Sequence, residues 1–137
     1  HLNNHAGQVS FPGGRQEPHD RDAVDTALRE THEETGIHPS FVSVVGLLNN
    51  YETRTGYMVT PVVGFVRPGF ELTLDSFEVA AAFEVPLAFV LDPANHMIES
   101  RPWNGAERRY YALHWDGHYI WGATAGMLVD LYRRTRA

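Results

Sequence analysis

The chain has 137 residues, 43% hydrophobic, 12% aromatic and 20% charged, which is the composition of one ordinary globular domain spanning 1–137 and not of a disordered tail. It has no cysteine, so a disulfide scaffold, a zinc–thiolate site and a cysteine nucleophile are excluded, and the absence fits a reducing cytoplasm. Eleven basic against seventeen acidic residues leave a net charge of −6; general nucleic-acid binding is not expected, and a phosphate-bearing ligand needs bound cations or local arginines.

The chain begins at His1 rather than methionine, just ahead of a β-leaning stretch, Gly7 to Phe11. A trimmed amino terminus with an upstream element missing is the expectation. Pro12-Gly13-Gly14 breaks the stretch sharply, and a polar loop runs from Arg15 to Arg21. From Asp22 to Thr35 the pattern turns helical, with Val24, Ala27, Leu28, Thr31 and Thr35 recurring at spacings of three and four. Asp20 or Asp22 suits the cap at its start, and Gly36 suits its stop. Phe41–Leu48 and Tyr57–Val66 are rich in β-branched and aromatic residues and read as strands, with a polar loop between them. Phe77–Pro86 reads as another strand, followed by a helical turn at Leu87–Leu91. Met97–Ser100 and Arg108–Trp115 pair as a hairpin across Pro102-Trp103-Asn104-Gly105. Trp121, Ala125, Leu128 and Leu131 then recur with helical period up to Arg134. Strand, helix, several strands and helix together predict a mixed sheet with helices packed on its faces.

The first helix carries the candidate chemistry. At about 100° per residue, Glu30, Glu33 and Glu34 fall within an arc of roughly 100°, facing away from Val24, Ala27 and Leu28. Like charges at these spacings repel by a few tenths of a kcal/mol per pair, and they sit where the helix dipole disfavours negative charge. A divalent cation offsets both, and oxygen ligands suit Mg²⁺ or Mn²⁺. Acidic pairs on helices are common and most are solvated, so the carboxylates alone identify nothing. The Pro-Gly-Gly bend ahead of them changes that, because a glycine lets bare backbone approach closely.

The segment Gly14 to Ile37 resembles the Nudix box, Gly-x5-Glu-x7-Arg-Glu-U-x-Glu-Glu-x-Gly-U, where U is a bulky aliphatic residue. Arg29-Glu30-Thr31-His32-Glu33-Glu34-Thr35-Gly36-Ile37 matches the second half at every fixed position except the first U, where Thr31 stands. In the first half Asp20 takes the place of the first glutamate, and one extra residue precedes Arg29. A narrower resemblance, to coenzyme A diphosphatase-like Nudix proteins, rests on His5 to Gly14, Thr55 to Gly64, Phe83-Glu84-Val85-Pro86-Leu87 and Ile120 to Leu128. That subfamily usually has an arginine where Asn3 stands here.

The resemblance implies a Nudix-type α/β/α sandwich (α+β in class) with a mixed β-sheet between helices. It implies a metal-dependent diphosphatase that needs Mg²⁺ or Mn²⁺ and acts on a nucleotide. The leading substrate is coenzyme A or acyl-coenzyme A, giving 3′,5′-ADP and (acyl-)4′-phosphopantetheine. ADP-ribose or another nucleotide derivative is the alternative substrate, and a non-catalytic nucleotide-sensing module the alternative class. By position in the box, Glu30 and Glu34 are the principal metal ligands, Glu33 a third, a carbonyl of Gly13 or Gly14 a further one, and Arg29 the orienting partner. The general base falls to Glu33, Glu78 or Glu84. Arg101, Arg108 and Arg109 are candidates for the nucleotide phosphates; Tyr51, Tyr57 and Trp103 either stack on adenine or fill cores; His5 stands near the bend. His32 and His38 are expected at the surface. No stretch approaches the roughly 20 apolar residues of a membrane span, and no signal peptide is visible. A cytoplasmic location is expected. A homodimer is one assembly open to the chain, on which the sequence is silent.

Overall fold

A computed structural model describes residues 8–53 and 55–136. In chain order its elements are α1 (Ala23–Thr35), β1 (Val42–Leu47), β2 (Tyr51–Glu52), β3 (Met58–Val59), β4 (Val62–Val66), α2 (Leu87–Val90), β5 (Met97–Trp103), β6 (Ala106–Trp115), β7 (His118–Trp121) and α3 (Gly122–Thr135). The class is α+β, with every described strand pairing antiparallel. The parallel pairing that a mixed sheet requires is not among the described residues. Two compact units emerge. One contains Phe11–Leu47 and Thr60–Phe83, the other Gln8–Ser10, Leu48–Val59 and residues 84–136.

In the first unit α1 starts where the sequence expects. Asp22 is extended and its side chain accepts from the amide of Asp25 at 2.9 Å, a cap worth about 1 kcal/mol. The stop is Gly36, left-handed at φ 82°, whose amide donates to the carbonyl of His32 at 2.9 Å. An added Cβ there would also meet the backbone of Thr73 at 2.9 Å, so both conformation and space require glycine. β1 and β4 pair in antiparallel register from Val42↔Val66 to Leu47↔Val62, with an irregularity between Val44 and Gly46.

The second unit holds the described buried apolar residues: Val90, Ala112, Leu113, Ile120, Ala125 and Val129. β5, β6 and β7 form a meander, and α3 packs on β6 and β7. Both of its hairpin turns have two residues, Asn104-Gly105 at φ 48° and 78° and Asp116-Gly117 at φ 47° and 77°. Positive φ at both positions twists the chain as tight hairpins require, and Asn-Gly and Asp-Gly are the pairs that tolerate it.

Several expectations need correction. Phe77–Pro86 forms no strand: the Asp75 side chain accepts from the amide of Phe77 at 3.0 Å, and its carbonyl accepts from the amides of Glu78 and Val79. That local turn outcompetes the β propensity of the segment. The strand read across Tyr57–Val66 divides into β3 and β4 around Pro61, which has no amide to give a ladder. The loop read before it contains β2, which pairs with β3. Residues 8–11 make no strand, and β7 was not foreseen because its four residues follow the Asp116-Gly117 turn too closely to show a period.

Candidate active site

In the first unit the buried residues among those described are polar, Asp20, Thr26 and Thr35, and Asp20 anchors Arg29. Asp20, with a side chain only 3% exposed, accepts from the Arg29 Nη2 at 2.9 Å and Nε at 3.1 Å. It also accepts from the amide of Glu17 at 2.9 Å and the hydroxyl of Thr26 at 3.0 Å. Those bonds, the guanidinium's first among them, hold the Asp20 carboxyl far below the usual carboxylate range. The same contact, with that of Glu30, holds Arg29 more firmly protonated than usual against the opposing effect of burial.

Arg29 is a rigid fork that fixes several groups at once. Its Nη1 donates to Glu30 Oε1 at 2.9 Å and to Glu33 Oε2 at 2.9 Å, and its Nη2 donates to the carbonyl of Arg15 at 3.0 Å. Glu30 is thereby held, and it also lies directly over Gly14: a Cβ built there would meet its carboxylate at 2.7, 2.8 and 2.9 Å. Glu34, one turn on, accepts from the amide of Gly13 at 3.0 Å and lies within hydrogen-bonding reach of Glu30. Burial raises the Glu34 carboxyl to about 7; the Glu30 contact adds to the rise, the Gly13 amide opposes it, and the negative charge of Glu78 contributes further. Two carboxylates from one helix thus meet at a glycine bend.

Glu33 sits differently. Its side chain is 54% exposed and bonded to Arg29. Among the described residues, no group of three or more histidines, aspartates or glutamates is disposed to hold a metal ion by itself. Glu78 lies in the Asp75 turn of the same unit, whereas Glu84 lies in an irregular stretch of the second unit, beside Val85, Pro86 and Trp115 in an open depression. His32 and His38 are exposed and meet edge to face at 5.1 Å. His5 and Asn3 lie outside the described residues.

The arginines of the second unit divide by strand alternation. Arg101 on β5 stands opposite Arg108 on β6, whereas Arg109 stands opposite Ser100 on the other face. Tyr57, 55% exposed, is at the β2–β3 hairpin, and its amide donates to the Thr53 hydroxyl. Tyr51 lies against Gly126 of α3. Sequence reasoning missed two things. One is the anchoring of Arg29 by Asp20, signalled only by Asp20's place in the box. The other is a network on the β-meander, in which Glu99 accepts from the Tyr119 hydroxyl at 2.7 Å and meets His114 at 2.8 Å, with Tyr110 beside Tyr119. The register from the Asn104-Gly105 turn would have paired Glu99 with Tyr110.

On α1, Glu30 and Glu34 stand with Arg29 behind a glycine bend. The NUDIX domain family model matches residues 2–104. The proteins named uncharacterized Nudix hydrolase NudL from Escherichia coli (strain K12) and from Escherichia coli O7:K1 (strain IAI39 / ExPEC) are each 40% identical over 131 residues, covering 96% of this chain and 68% of theirs. The chain belongs to the Nudix family. It is a hydrolase of the kind that splits a pyrophosphate linkage, a family that acts on small nucleotide substrates and generally uses divalent metal ions. No helix of the described residues is long and apolar enough to cross a membrane.

Proposed function

We propose that the protein hydrolyses the diphosphate of a nucleoside diphosphate-linked substrate, coenzyme A or acyl-coenzyme A, to 3′,5′-ADP and (acyl-)4′-phosphopantetheine. The observation that carries the hydrolytic site is the meeting of Glu30 and Glu34 beside Gly13 and Gly14, where burial first, and then the Glu30 contact, raises the Glu34 carboxyl to about 7. Oxygen donors crowded together in a partly buried place suit a hard divalent cation, Mg²⁺ or Mn²⁺. Two protein carboxylates are enough, because Mg²⁺ commonly keeps waters and takes its remaining ligands from substrate phosphates. Such a cation supplies Lewis acidity at the phosphoryl oxygens and a more acidic water.

The chain's own residues do the rest. Glu30 and Glu34 would hold the cation, and Gly14 makes room for Glu30. Arg29, locked by Asp20, fixes the direction of Glu30 and Glu33. Glu33 (bonded to Arg29), Glu78 (in the Asp75 turn of the same unit) and Glu84 are the candidates for the general base. The coenzyme A assignment rests on the segments flanking the box, Thr55 to Gly64 and Phe83 to Leu87 among them.

The test is a panel of coenzyme A, acetyl-coenzyme A and ADP-ribose with Mg²⁺ or Mn²⁺, products being identified by mass. Preferred turnover of ADP-ribose would overturn the substrate. Glu34→Gln is expected to remove turnover while leaving the melting curve cooperative, and full activity in that variant would overturn the site.

A further inference from the structure

The second unit contains a cavity of about 270 Å³ between the start of β2, strand β6 and helix α3. Its walls include Tyr51, Tyr111 and Met127, with Gly126 where the Tyr51 ring lies against α3. Asp130 and Arg133 of α3 line the same space. The volume falls just below the roughly 300–1,000 Å³ of sites for drug-sized ligands, so it suits a smaller molecule. The hydrolytic reading makes no use of it.

Asp130 and Arg133 are three residues apart on one helix, a spacing at which opposite charges ordinarily pair. Here each is turned to a different partner. The Asp130 carboxylate accepts from the Asn49 backbone amide at 3.1 Å and from the Asn49 side-chain amide at 3.4 Å. Arg133 Nη2 donates to the Tyr111 hydroxyl at 2.8 Å, with its guanidinium 5.8 Å from the centre of that ring. Arg134 reaches Asp130 only at 3.9 Å and also donates to the Asn49 side chain. Among the described residues Arg133 forms no ion pair, and the Tyr51 hydroxyl has no hydrogen-bond partner. A positive and a negative group thus stand apart at one cavity, each fixed by a neutral neighbour.

We infer that this cavity binds a small zwitterion, a free α-amino acid with an apolar side chain. The ammonium meets Asp130, the carboxylate meets the planar Arg133 fork and the Tyr51 hydroxyl, and the side chain lies among Tyr51, Tyr111 and Met127. Both ligand charges matter, because a molecule with only one leaves either Asp130 or Arg133 desolvated and unmatched. A phosphate group would set nearly two negative charges beside Asp130, which disfavours a nucleotide here. The lining residues all belong to the second unit, whereas the carboxylates of α1 belong to the first.

Binding of L-phenylalanine and L-leucine to the full chain is measured in EDTA by calorimetry and ligand-observed NMR. Phenethylamine and hydrocinnamate, which carry one charge each, are measured beside them, with AMP as a competitor. Both amino acids are expected to bind saturably, and each one-charge analogue about tenfold or more weakly than L-phenylalanine. Asp130→Asn is expected to weaken L-phenylalanine about tenfold and to leave hydrocinnamate no weaker. Arg133→Gln is expected to weaken L-phenylalanine similarly and to leave phenethylamine no weaker. Arg133 is exposed, so its substitution keeps the test open even where Asp130→Asn, which touches Asn49, folds poorly. No saturable binding of either amino acid, one-charge analogues that bind as well, or displacement of L-phenylalanine by AMP would overturn the assignment. So would equal weakening of every ligand in both variants, the mark of a loosened fold. Because no divalent cation is present, failure here leaves the hydrolytic reading untouched, and inactivity on the diphosphate panel leaves this one untouched.

Discussion

Replacing Gly14 by alanine separates function from stability at this site. The new Cβ would stand 2.7 Å from the Glu30 carboxyl carbon and 2.8 and 2.9 Å from its oxygens. Ordinary carbon–carbon contact is about 3.5 Å, so the carboxylate must retreat by roughly 0.8 Å. The obstacle is the end of a flexible side chain, so the fold yields at little cost and the stability change is expected to stay below about 1 kcal/mol. The rate is another matter. A displacement of this order in a catalytic constellation costs about 100-fold, and the retreat also strains the 2.9 Å bond from Arg29. Gly13→Ala is the companion variant: nothing lies within 4 Å of its added Cβ, and its amide still reaches Glu34. Its loss is expected to be far smaller. The assay is kcat/KM on the preferred diphosphate substrate with Mg²⁺, alongside thermal melting of both variants. Equal losses in the two, or full activity in Gly14→Ala, would refute the reasoning.

Glu34 sets a pH dependence. Its folded-state value, about 7, lies above its ordinary 4.5, mainly through burial and then the Glu30 contact. The stability this group contributes is therefore complete below about 4.5 and is lost as pH rises through about 7. Without divalent ions the melting temperature is expected to fall between pH 5 and pH 8 by this effect; Mg²⁺ or Mn²⁺ should restore it at pH 8 and have little effect at pH 5. Equal stabilisation by metal at both values would count against Glu34 as a ligand. Asp20→Asn keeps the shape but removes the charge that anchors Arg29; kcat is expected to fall by about ten- to 100-fold, as it does when an outer partner of a metal ligand is lost, with a lowered melting temperature. An unchanged kcat would mean that Arg29 needs no anchor. Gly126→Ala brings a Cβ within 2.8 Å of the Tyr51 ring. Overpacking of roughly 1–3 kcal/mol opposes a helix-propensity gain of about 1 kcal/mol, so net destabilisation in chemical denaturation is expected, and a stabilised variant would show that Tyr51 moves freely.

Local chemistry carried much of the fold into view from residues alone. Asp22 and Gly36 bracket α1 because a capping carboxylate and a left-handed glycine act within a few residues of themselves. The hairpin of β5 and β6 was equally legible, since Asn104-Gly105 suits one turn type almost uniquely. Phe77–Pro86 misled for the same reason in reverse: its apolar content favours a strand, but the Asp75 side chain makes a nearer and stronger demand on the backbone.

The site divides along the same line. Helical spacing by itself placed Glu30, Glu33 and Glu34 on one side of α1, and the box motif gave Arg29 its place beside them. Only the tertiary structure decided which carboxylates meet. Arg29 bonds both Glu30 and Glu33, while the glycine bend receives Glu30 and Glu34 and leaves Glu33 exposed. Likewise, the three arginines of β5 and β6 look alike in a string of letters, and only strand register sets Arg101 against Arg108 and turns Arg109 away. Spacing along a chain determines direction from a local axis. Which groups converge depends on contacts between distant segments, whose geometry no local period encodes.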